Sequence, residues 1–238
     1  MNRFYKIRKT ISTQLDIIDI DEILPISVTG NETISRIDIS KDNWVTSTNL
    51  TSPSFGSETD IFIDYETIGS KTISVRATSA EGFISESSLS ISVERGNAIE
   101  INTLNLNNFF NINETWDDEF DEGDINRLAD VFFIFLKPRL NPFDGTRSIN
   151  STVWYRSETL LNQGNLEWSI ADQLLIDPDL SLYIAFADDD GNGLIEDIML
   201  GPPFEREISF EDFTTTQPDN LSISYPDINL DFDLSVDW

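Results

Sequence analysis

Aspartate and glutamate are the residues best placed to do chemistry in this chain, and they gather in two stretches. The first holds Asp117, Asp118, Glu119, Asp121, Glu122, Asp124 and Asp130; the second holds Asp188, Asp189, Asp190, Glu196 and Asp197. Within the second, Asp188-x-Asp190-x-Asn192-Gly193-x-x-Glu196 sets oxygen ligands at positions 1, 3, 5 and 9 of a loop with glycine at 6. That is the spacing with which a tight turn wraps a hard, oxygen-seeking cation such as Ca2+. Position 12 is Met199 and the residues before the loop, LSLYIAFA, read as a strand, so an EF-hand is not expected. The same residues also suit a solvated Asp/Gly turn that holds no ion. Carboxylates crowded at one rim raise one another's pKa, and a divalent cation resolves that conflict.

The residue types that are missing narrow the chemistry further. The chain has no His and no Cys, which removes the commonest general base, the usual nucleophilic triads and thiol or imidazole metal sites. No phosphate-cradling Gly-rich Lys/Ser motif occurs. A glycosidase pair of carboxylates is formally available, but among 43 acidic residues some pair always falls at a suitable distance. The expectation is a protein that is not an enzyme.

The net charge of −28 is unevenly spread: residues 1–96 carry nine basic and fourteen acidic side chains, residues 97–238 six and twenty-nine. A surface of that sign repels phosphate backbones and gains nothing from counterion release, so nucleic acid is not an expected partner. With 39% hydrophobic residues, sixteen Phe, five Trp and five Tyr, the chain has the material for packed cores throughout.

Two sets of strands must position the acids. From Pro25 to Glu94 short runs alternate with a period of two: 26–28, Ile34 to Ile39, Ile61 to Tyr65, Ile73 to Ala77 and Leu89 to Val93, separated by turns rich in Asn, Gly and Ser. Beyond Arg95-Gly96-Asn97, where charge density changes, further strands read at 99–101, 131–136, 152–155, 182–187, 208–210 and 221–225. A last one, from Ile228 to Trp238, sets apolar residues against Asp231, Asp233 and Asp237. A short helix at Ile170–Leu175, stopped by Pro178, is the one helical segment the pattern allows. The expected fold class is all-β, two β-sandwiches in tandem: an N-terminal arm or first strand at 1–24, a first domain at 25–96 and an acidic second domain at 97–238. The arm carries Arg3, Lys6, Arg8 and Lys9 but no apolar stretch follows, so export by the general secretion route is not expected, and no run is long enough to span a membrane.

Residues 69–82, GSKTISVRATSAEG, resemble the penultimate-strand region of bacterial immunoglobulin-like and PKD-type domains. In the second half, Asp124-x5-Asp130-Val-Phe-Phe-x-Phe and Asp188-x-Asp190-x6-Asp197-x3-Gly201 resemble the two calcium loops of the C-two family, the β-sandwich of synaptotagmins and protein kinase C. That resemblance implies Asp124 and Asp130 as first-loop ligands and Asp188, Asp190 and Asp197 as third-loop ligands, with Glu196 competing with Asp197. Val131 stands where the family has Pro, and no Lys-rich strand face is present. Taken together, these features resemble a structural virion protein of a tailed bacteriophage (head decoration, neck, tail or baseplate) that is stabilised by Ca2+ and partnered by other protein subunits. The alternative is a Ca2+-dependent bacterial surface or adhesion module that binds glycan or anionic lipid.

Overall fold

The computed structural model describes residues 9–53, 55–191, 194–199 and 202–238. The elements they form are strands joined by turns and single 3-10 turns, so the protein is all-β. The chain divides into two compact units, the first made of the residues up to Gly96 together with Leu140–Ser148, the second of Asn97–Arg139 and Ile149–Trp238.

In the first unit one sheet runs in the order β1 (Lys9–Ser12), β3 (Leu24–Gly30), β6 (Glu58–Ile63). The other runs β2 (Ile17–Asp19), β8 (Ile84–Glu94), β7 (Gly69–Ser79), β4 (Ile34–Ser40), β5 (Thr48–Thr51). All pairings are antiparallel except that of β2 with β8. This is an immunoglobulin-type sandwich. Its inward positions follow the period of two in the sequence: Leu24, Ile26 and Val28, Ile37 and Ile39, Ile61 and Ile63, Ile73, Val75 and Ala77, Ile91 and Val93 are all buried. Of the stretch 1–24, residues 9–12 and 17–19 form strands, one in each sheet, while Arg3, Lys6 and Arg8 lie outside the described residues. Trp44 sits in a turn with φ 68, its Nε1 donates to Glu86 at 2.7 Å and the Arg76 guanidinium lies over its ring, so it is no core tryptophan.

One buried charge in this unit is fully partnered. Asp38 on β4 is 5% exposed, and its carboxylate accepts from Arg36 Nη2 at 2.7 Å, Arg36 Nε at 3.0 Å and Asn49 Nδ2 at 2.7 Å. Burial works to raise its pKa, but the hydrogen bonds from Arg36 and Asn49 and the Arg36 charge outweigh it and hold the group below the ordinary value.

Residues 140–148 join the first unit through specific contacts. The Pro142 carbonyl accepts from the Phe62 N–H at 3.0 Å, Phe143 stacks on Phe55 at 6.0 Å, and Arg147 pairs with Asp64 at 2.9 Å. Gly145 has φ +71 and its missing Cβ would lie 2.9 Å from the Phe62 ring, so only glycine fits this turn.

In the second unit a four-stranded sheet has the order β12 (Glu167–Ile176), β9 (Ile99–Asn108), β17 (Leu230–Asp237), β16 (Asn220–Tyr225). The other sheet runs β11 (Arg147–Arg156), β10 (Val131–Leu140), β13 (Leu182–Gly191), β14 (Leu194–Asp197), with β15 (Arg206–Ile208) also on β13. Between them lies a core dominated by aromatic side chains. Phe133 meets Trp168 edge-on at 5.3 Å and Phe135 at 4.9 Å, and Phe186 meets Phe232 at 5.6 Å. Edge-to-face pairs of this kind add roughly 0.5–1.5 kcal/mol each beyond the area they bury.

The stretch Ile170–Leu175 is not helical. It belongs to β12, whose register on β9 shifts between Ser169 and Leu174, because Trp168 and Leu174 to Ile176 are buried and the local pattern yields to packing on β9. The final strand begins at Leu230 rather than Ile228: residues 226–228 make a 3-10 turn and Asn229 adopts φ 54. From there Leu230, Phe232, Leu234 and Val236 are buried, as their alternation requires. Phe109 is fully buried and Trp116 packs partly buried against this core, whereas Phe204 is exposed.

Candidate functional site

Strand β13 carries the site. Leu182, Ile184 and Phe186 occupy its inward face and are all buried, and a period of two brings Asp188 onto the same face, where it is 0% exposed. Three buried apolar side chains, each stabilising by about 1.5–3 kcal/mol, are enough to hold the strand in place although the next inward residue is charged.

The Asp188 carboxylate is only half satisfied. Its Oδ1 accepts the Asp130 backbone N–H at 2.5 Å, but Oδ2 is buried and has no hydrogen-bond partner among the described residues. Asp130, immediately before β10, accepts the Asn162 N–H on its own Oδ1 at 2.7 Å, and its carbonyl accepts the Asp189 N–H at 2.9 Å. Pairing of Val131 with Asp188 thus fixes the first acidic stretch against the second. Asp190 follows two residues on in β13, and its charge acts on Asp117.

The electrostatics reflect this crowding. Burial first, then the charges of Asp190, Asp117 and Asp130, push Asp188 up to about 7 against the single opposing bond from the Asp130 N–H. Burial, then Asp190, Glu119 and Asp130, push Asp117 up to about 6. Among the described residues no Lys or Arg pairs with Asp117, Asp130, Asp188 or Asp190. Arg127 is the one basic residue in 97–130, and it donates instead to the backbone carbonyls of Glu122 and Asn113 at 2.7 and 3.0 Å. Arg156 is engaged with Asp189, which points to the other side of β13, at 2.9 Å.

The remaining expected ligands are placed differently. Asp124 caps the 3-10 turn Ile125–Arg127, its Oδ1 accepting the Asn126 N–H at 3.0 Å and Asn126 Nδ2 at 2.9 Å. Glu196 stands opposite Asp188 in the β13–β14 register but its side chain is exposed. Asp197 is opposite Ala187, and its Oδ1 accepts the Met199 N–H at 2.9 Å. Asn192 lies outside the described residues, as do Gly193 and Gly201. The structure therefore places Asp130 directly beside Asp188 and leaves Asp190 two residues further along β13, acting on Asp188 through its charge. It adds Asp117, which the spacing argument did not single out, although its position directly after Trp116, an apolar anchor within an acidic run, was a usable signal.

Ca2+ takes about six to eight oxygens at roughly 2.3–2.6 Å. The donors at this end of β13 are all oxygen, as such an ion requires, and the orphaned Asp188 Oδ2 is the atom an ion would satisfy. Among the described residues, however, no three acidic side chains already close to a single ligand sphere. What stands ready is a set of mutually repelling carboxylates, which only a proton or a cation relieves.

No protein-family model matches the chain, and no curated protein is similar to it. Among solved structures, it is similar to the fibronectin(III)-like modules of Clostridium thermocellum CbhA, with a TM-score of 0.30 and 13% identity over 84% of this chain and 91% of that one. A superposition that loose assigns no function. Among the described residues no helix is long and apolar enough to cross a membrane.

Proposed function

We propose that this chain is a non-catalytic structural and binding protein whose acidic sandwich takes up Ca2+ at the Asp188 end of β13. The observation that carries the reading is Asp188 itself, fully buried, with one oxygen unpartnered among the described residues and the charges of other carboxylates acting on it. An uncompensated buried charge costs several kcal/mol, by order of magnitude. A divalent ion turns that cost into a cross-link between the two acidic stretches. The absence of His and Cys from the sequence supports the non-catalytic part.

The setting we favour is an assembly of protein subunits, a tailed-phage virion, in which an immunoglobulin-type sandwich is joined to an ion-stabilised one. Calorimetric titration of the metal-free protein with CaCl2 tests the ion. Saturable binding below millimolar, with a rise in melting temperature that a chelator reverses, is the expected result. No binding heat and no chelator effect overturn it. Co-sedimentation with purified phage particles supports the virion setting, and Ca2+-dependent retention on glycan or anionic vesicles replaces it with a surface-adhesion role.

A further inference from the structure

Strand β16 ends its sheet and pairs with β17 alone, Asn220 opposite Ser235 through to Tyr225 opposite Leu230. Just before it, the Val236 N–H donates to the Asp219 carbonyl at 2.9 Å. Bonded and unbonded pairs alternate along an antiparallel ladder, so Leu221, Ile223 and Tyr225 give their backbone groups to β17 while Asn220, Ser222 and Ser224 turn theirs to the open edge. Such an edge is a template for another strand, and proteins ordinarily blunt it with charge, proline or a bulge. Among the described residues, charged side chains stand on the sheet-ending strands β1, β2, β6, β11, β12 and β14. Only β5 and β16 end a sheet without one, and β5 has four residues against six in β16. In a chain of net charge −28, an edge of that kind is where two copies can meet without setting carboxylate against carboxylate.

We propose that β16 is a docking edge for β16 of a second copy, paired antiparallel about a two-fold axis so that the four-stranded sheets of two chains continue into one another. The open backbone groups fix the register. Ser222 faces its own counterpart and Asn220 faces Ser224 of the other copy, the arrangement that engages all three residues. Pro218 and Pro226, which lack an N–H, bound the seam at its two ends. The same register sets Asp219 opposite Tyr225 rather than another acid, and brings half-buried Ile223 against Leu221. The Asp233 carboxylates of the two copies stand three strand spacings apart, roughly 14 Å, beyond the ~8 Å over which exposed charges act at physiological salt. Each is also held on its own sheet, accepting from Ser222 Oγ at 2.6 Å and Asn107 Nδ2 at 2.8 Å.

The test is sedimentation equilibrium of the full chain, run in chelator so that the outcome does not depend on Ca2+ uptake. A reversible monomer–dimer equilibrium in the micromolar range is expected. Ser222→Pro removes an N–H from the open edge and none from the ladder with β17, and is expected to weaken dimerisation roughly tenfold or more while the melting temperature stays near that of the parent chain. Because the chain has no Cys, single cysteines report the register. In a bonded pair the two Cα atoms are about 5.5 Å apart, within reach of a disulfide. Mild oxidation should therefore link Ser222→Cys into a covalent dimer roughly tenfold faster than Ser224→Cys, whose counterpart lies roughly 13 Å away along the strand. A parent chain that stays monomeric throughout, a folded Ser222→Pro that dimerises like the parent, or equal cross-linking at the two positions overturns the proposal. If Ser222→Pro does not fold, the two cysteine variants decide alone.

Discussion

Asp38 in the first sandwich and Asp188 in the second are both buried on strands, at 5% and 0% exposure, and the protein treats them in opposite ways. Asp38 lies among donors: a guanidinium two residues away on its own strand and an amide on the neighbouring strand reach it, and its pKa falls. Asp188 lies among acceptors, and its pKa rises to about 7. Burial acts in the same direction on both, so the sign of each shift is decided by the neighbours. A buried carboxylate with its donors in place is a structural strut. One ringed by its own kind carries a charge that its surroundings oppose.

The largest effect expected from breaking this contrast is at the strut. Asp38→Ala removes the charged acceptor of three side-chain donor groups and leaves Asn49 Nδ2 without this acceptor, although half-exposed Arg36 rehydrates. It should destabilise the protein by about 1–3 kcal/mol, measured by urea denaturation. A neutral result would show that the Arg36 pair contributes nothing and that the two aspartates are not different in kind.

At Asp188 the expected sign is reversed. Asp188→Asn keeps an acceptor for the Asp130 N–H and removes the repelled charge, so in the absence of metal at pH 8 it should stabilise by about 1 kcal/mol while abolishing any gain from Ca2+. The pH dependence follows the same sign. Asp188 and Asp117 are raised to about 7 and about 6; below about pH 4, where the unfolded chain also binds these protons, they cost the fold nothing, and the cost grows as pH rises towards 7. Melting temperatures of metal-free protein should therefore decline between pH 5 and pH 8, and less steeply in Asp188→Asn. Asp38, with its lowered pKa, contributes stability that is present above the ordinary carboxylate range and lost as pH falls through it. A steeper decline in Asp188→Asn than in the parent chain would contradict the assignment of the raised group.

The smallest effect is expected at Asp189, next in sequence to Asp188 but turned to the other side. Its pair with Arg156 is partly exposed, so Arg156→Ala should cost under about 1 kcal/mol and leave Ca2+ binding within about twofold. A loss comparable to that in Asp38→Ala would mean that Arg156, rather than an ion, neutralises the acidic end of β13.

Much of this was legible in the residues. Alternating apolar positions located the buried faces of β3, β7, β13 and β17, because one side of a half-buried strand is selected at every second residue. Asp188 and Asp190 stood out because, with Asn192 and Glu196, they set oxygen ligands at the spacing of a tight loop around Gly193. The resemblance put forward Asp124, which the structure turns to cap Ile125–Arg127, and it did not single out Asp117: both lie in an irregular connection, where no period ties sequence position to direction. Spacing also allowed a helix at 170–175, where an uneven apolar pattern reflects a register shift against β9.

The sequence by itself determined the all-β class, the acidity of the second half and the absence of imidazole and thiol chemistry, since composition and period-two patterning are properties of the chain alone. Only the tertiary structure decided which acids meet. The pairing of β10 with β13, the Trp116 anchor and the turn at Asp124 arise from contacts between residues far apart in the chain or from local backbone direction. From these comes the difference between a carboxylate that caps a turn and one that is buried with a single oxygen bonded among the described residues.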